Sequence, residues 1–124
     1  MMSDNRPVFL NLFQFRFPIA AVMSVGHRAS GVLMVLALPF LVYMLDISLQ
    51  GEQGFVAAQA VLQNGLVKFL LFLMLWALLH HLLAGIRFLL IDFDIGVDKE
   101  SGRRSALVVM IAAPILAIVV GVLS

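Results

Sequence analysis

The chain has 124 residues, 63% of them hydrophobic and 12% charged, with a mean hydropathy of +1.10. A soluble domain of this size cannot hide that much apolar surface, so its solvent is largely lipid. A net charge of +1 leaves no basic patch to engage nucleic acid, and the lack of cysteine excludes disulfides, thiolate zinc sites and iron–sulfur ligation within the chain.

Residues 1–19 read as an interfacial segment. Phe9, Phe13, Phe15 and Phe17 alternate with Arg6, Asn11, Gln14 and Arg16, a mixture suited to the lipid headgroup layer. The segment has neither the compact apolar core and small-residue cleavage site of a secretory signal nor the Arg/Ser-rich character of an organelle presequence. It points to a bacterial inner-membrane protein. Pro18 suits the first turn of a helix, where its missing N–H is not needed.

A first span is predicted over 20–45. Its second half is almost wholly apolar, whereas its first half carries Ser24, His27, Arg28 and Ser30. Ser24 and Arg28 are four residues apart and share a helix face. Residues 46–65 form a loop without Lys or Arg, in which 55–62 suits a short interfacial helix. A second span follows over 66–91, and residues 93–105 make a charged connection with Lys99, Arg103 and Arg104. A third span over 106–123 carries no charge and is just long enough to cross the bilayer. The expected fold is therefore an all-α membrane protein with three transmembrane helices in one membrane-anchor domain.

The cations set the topology. Arg6, Arg16, Arg28, Arg87, Lys99, Arg103 and Arg104 fall on one side and Lys68 alone on the other, which places the N-terminus and the 93–105 connection in the cytoplasm.

The second span holds the most informative residues, His80 and His81. Polar side chains at that depth are costly in lipid and usually face a partner or a cofactor. Helical spacing groups Ala77, His81, Ala84, Gly85 and Phe88, so small residues flank His81 and leave room for a flat group. His80 points about 100° away and suits packing or a neighbouring subunit. Arg87 reads as an interface anchor near the cationic end. The methionines read as packing residues, and no acid lies deep in a span, which disfavours a proton- or cation-coupled transporter. With antiparallel spans, Ser24, His27 and Arg28 share the cytoplasmic end with Arg87, and His81 lies about 9 Å deeper along its helix. A flat ligand with acidic groups at one edge, such as haem b, matches this layout. One imidazole leaves the second axial position to another chain.

Two stretches, RPVFLNLFQFRFPIAAVMSVGHRASG (6–31) and HHLLAGIRFLLID (80–92), resemble the cytochrome b membrane-anchor family of succinate dehydrogenase. They contain that family's R-P opening, R-F-P, S-x-x-H-R-x-S-G and H-x-x-x-G-I-R-x-x-x-x-D motifs, in order, and the likeness covers essentially the whole chain. The resemblance implies that His81 is the axial haem ligand, that Ser24 and Arg28 line a quinone site, and that His27 and Arg28 lie near the haem propionates. It also implies a haem shared with a second anchor subunit in one helical bundle, and docking of an iron–sulfur subunit and a flavoprotein subunit. The chain alone would not oxidise succinate. One departure stands out: many members have histidine directly after G-I-R, where this chain has Phe88. A fumarate reductase anchor and a purely structural anchor without haem or quinone are the rival readings.

Overall fold

The computed structural model describes residues 16–124, so Arg6 and most of the interfacial segment lie outside the described residues. Those described form four helices and no strand: α1 (Ile19–Ser48), α2 (Glu52–Leu62), α3 (Gly65–Asp92) and α4 (Lys99–Leu123). At 1.5 Å per residue α1, α3 and α4 are about 45, 42 and 38 Å long, enough to cross a hydrocarbon core of about 30 Å. The 11 residues of α2 reach only about 16 Å and cannot cross.

Local chemistry explains the boundaries. Asn64 caps α3 by accepting from the amides of Leu66 (3.0 Å) and Val67 (3.3 Å). Asp98 caps α4 through the Ser101 amide at 3.0 Å, so α4 begins inside the charged connection and not at the apolar run. The tight turn before it passes through Gly96, whose φ of 69° suits a residue without Cβ. Pro39 and Pro114 lie inside α1 and α4 without ending them, as neighbouring groups in a membrane bundle permit.

α3 is the central helix and packs along both α1 and α4, while α2 folds back beside the far end of α1. Ile19 and Ala20 at the start of α1 lie with Arg87 and Ile91 near the end of α3, and Phe40 and Leu41 lie with Val67 and Leu70 near its start, so α1 and α3 run antiparallel. The start of α1, the end of α3 and the start of α4 therefore meet at one end of the bundle. Arg16, Arg28, Arg87, Lys99, Arg103 and Arg104 gather towards that end, and Lys68 lies towards the other.

The core is thin and, Met23 and Met44 aside, made of small side chains. α4 presents Ala106, Val109, Ala113 and Ala117, and α3 presents Ala77 and Ala84. Small residues let helix backbones approach closely, which replaces the hydrophobic driving force that lipid removes. Outward faces carry large apolar residues, such as Val32 and Leu36, over the whole membrane depth.

Candidate functional site

The α1–α3 seam sorts the two adjacent histidines of α3 to different surroundings. Buried residues of α3 are Ala77, His80, Ala84 and Arg87, a line with spacings of three, four and three. Ala77 and Ala84 thus belong with His80 and not, as the spacing reading had it, beside His81. Turns of about 100° per residue carry His81 off this line, and the small residue against its ring is Gly31 on α1, while Gly85 on α3 faces the His27 ring.

His80 is 8% exposed, and its Nε2 lies 3.2 Å from the Met23 carbonyl oxygen on α1. Because a carbonyl only accepts, Nε2 carries the proton. A Cβ on Gly26 would fall 2.7 Å from that nitrogen, so glycine is what allows the ring to lie against α1. The packing expectation for His80 is met here, within the chain itself.

His81 is half-buried, on the other side of the seam. Its Nδ1 lies 3.0 Å from the His27 carbonyl oxygen and 3.2 Å from Ser30 Oγ, and its ring stacks on the His27 ring with centroids 4.1 Å apart and planes 11° from parallel. The carbonyl requires Nδ1 to be the protonated nitrogen. In the neutral ring that leaves the lone pair on Nε2, at the opposite edge, which makes no hydrogen bond among the described residues. A neutral imidazole whose Nδ1–H is held by a backbone carbonyl has the form in which histidine ligates a metal through Nε2. The donor set therefore fits an axial haem ligand.

His27 stands between the candidate ligand and the cationic end. Phe88 meets its ring edge-on, with centroids 5.2 Å apart at 68°. The residue that replaces the family histidine thus supports His27 as an aromatic wall. Ser24 is half-buried and Arg28 exposed, one turn apart on the side of α1 next to His27, and Arg28 makes no hydrogen bond or ion pair among the described residues.

Arg87 has a different place from the one expected. It is 8% exposed, its Nε donates to Ser105 Oγ at 2.9 Å and its Nη2 to the Gly102 carbonyl at 3.0 Å. The guanidinium also sits over the Phe88 ring, 5.9 Å from its centroid. It ties α3 to α4 and is not a free interface anchor, because its position on the buried line of α3 aims it at the start of α4. Ser30 was the site residue that sequence reasoning left without a role. Its position three residues after His27 and directly before Gly31 was the available signal.

The succinate dehydrogenase/fumarate reductase transmembrane subunit family matches residues 2–120. The chain is 38% identical over 122 residues to the succinate dehydrogenase cytochrome b556 subunit of Coxiella burnetii, covering 98% of each chain. It is 30% identical over 114 residues to the protein of the same name from Paracoccus denitrificans, covering 92% of this chain and 88% of that one.

Proposed function

The chain belongs to the succinate dehydrogenase/fumarate reductase transmembrane subunit family, and from that premise we propose that it is a haem b- and quinone-binding membrane anchor of a succinate:quinone oxidoreductase. It sits in a bacterial cytoplasmic membrane with its N-terminus inside. A second anchor subunit completes the bundle, and an iron–sulfur and a flavoprotein subunit dock at the cationic end. The observation that carries the haem assignment is the hydrogen bond from His81 Nδ1 to the His27 carbonyl, which leaves Nε2 free to bind iron. A second anchor subunit would contribute the remaining protein ligand to a haem held between the two chains.

When bound, the haem supplies a one-electron carrier within the membrane. His81 would hold it from α3, and His27 and Arg28, towards the cationic end, would hold its propionates. Ser24 and Arg28 form the chain's share of a quinone site. There the serine hydroxyl and the permanently charged guanidinium donate to a quinone carbonyl oxygen and stabilise the negative charge that develops as electrons arrive. The identity of the redox centre is tested by His81→Ala, which is expected to abolish the reduced b-type absorption bands of the purified complex. Unchanged bands refute the assignment and leave a structural anchor.

A further inference from the structure

We infer that Ser30 is a positioning residue for His81, acting as a second acceptor for the Nδ1 proton and so raising the charge the ring donates to iron at Nε2; the inference rests on the haem reading above. Ser30 is 4% exposed, on the face of α1 that meets α3. Its hydroxyl donates its one proton to the His27 carbonyl at 2.7 Å. The Oγ lone pairs are then the only hydrogen-bonding capacity it has left, and His81 Nδ1 lies 3.2 Å from them. The same Nδ1 is 3.0 Å from the His27 carbonyl. Oγ, Nδ1 and the carbonyl oxygen form a closed triangle in which one proton comes from the serine and one from the imidazole. The triangle has no place for an unprotonated Nδ1, since that would face a carbonyl lone pair.

Gly31 makes the arrangement possible. A Cβ at that position would stand 3.1 Å from His81 Cε1, tighter than ordinary contact, and would push the ring away from Ser30. Serine and glycine thus act in succession along α1, one holding the ring and the other giving it room.

The electronic consequence has a sign. A proton on Nδ1 shared with a second acceptor makes the imidazole a stronger donor at Nε2, which favours ferric over ferrous iron. Removing the hydroxyl leaves only the carbonyl, so the reduction potential rises.

The test is a redox titration of the b-type bands in the intact purified complex, for wild type, Ser30→Ala and Ser30→Thr, with the low-spin electron paramagnetic resonance signal recorded alongside. The expected result is a raised midpoint potential and a shifted signal in Ser30→Ala at unchanged haem content, with both returned towards wild type in Ser30→Thr. An unchanged potential overturns the inference. So does a lowered one, because it means that the hydroxyl competes for the His27 carbonyl and does not share the imidazole proton. Should Ser30→Ala lose the haem, recovery of the bands in Ser30→Thr supports the hydroxyl's role, and absence in both overturns it. The haem reading fails separately, through His81→Ala retaining its bands.

Discussion

Replacing Gly26 with Ala tests how closely α1 and α3 are fitted. The new Cβ would stand 2.7 Å from His80 Nε2, whereas ordinary contact begins near 3.4 Å, so the ring or the helix must move by about 0.7 Å. His80 is buried and already 3.2 Å from the Met23 carbonyl; a shift of that size away from α1 takes it out of hydrogen-bond range. Overpacking costs about 1–3 kcal/mol, and the lost hydrogen bond about 0.5–1.5 kcal/mol. Better helix propensity returns about 1 kcal/mol. The expected net loss is about 0.5–3.5 kcal/mol. Trp76, the chain's single tryptophan, lines the same groove as Gly26 and His80, so its fluorescence during detergent denaturation in mixed micelles reports this seam. In a His80→Ala background both penalties vanish and only the propensity term remains, so Gly26→Ala should become neutral or mildly stabilising. An equal loss in both backgrounds refutes the steric account.

Other expectations concern the cationic end. Arg28→Leu should lower quinone reductase activity about tenfold or more while succinate oxidation with an artificial acceptor persists, since a charged hydrogen bond to the quinone is lost. If both rates fall together, Arg28 serves assembly instead. Arg87→Met removes the bonds to Ser105 and Gly102 and should cost about 2–4 kcal/mol in the same denaturation assay. Arg87→Lys should recover only part of that, because an ammonium cannot span both acceptors as the planar guanidinium does; full recovery by Lys contradicts the clamp geometry. Orientation is open to single-cysteine labelling against a cysteine-free background. An impermeant maleimide should label Gln53→Cys in intact spheroplasts held right-side out and Val97→Cys only in inverted vesicles, and the opposite pattern overturns the N-inside topology.

Much of the architecture was legible in the residues themselves. Long apolar runs mark three helices because in lipid only a helix satisfies its backbone hydrogen bonds within a single segment. The cation distribution foretold which helix ends meet, and those ends do lie together. The short helix over 55–62 also exists, extended to Glu52–Leu62. At α4, Asp98 captures the Ser101 amide and starts the helix within polar residues, where hydropathy alone sees only a connection.

The sequence by itself determined that this chain lives in a membrane, crosses it with three helices and carries a small set of imidazole, hydroxyl and guanidinium groups near one end. Tertiary structure decided which of them do what. His80 and His81 are the same residue type at nearly the same depth, and only the rotation of α3 against α1 buries one on Met23 and sets the other on the His27 carbonyl. Arg87 looks like an interface cation in one dimension, yet the buried line it shares with Ala77, His80 and Ala84 turns it into a strut to α4. Composition and spacing record which groups are present on a helix. Their partners follow from which face the neighbouring backbones approach, and that is settled by the small residues where the helices touch.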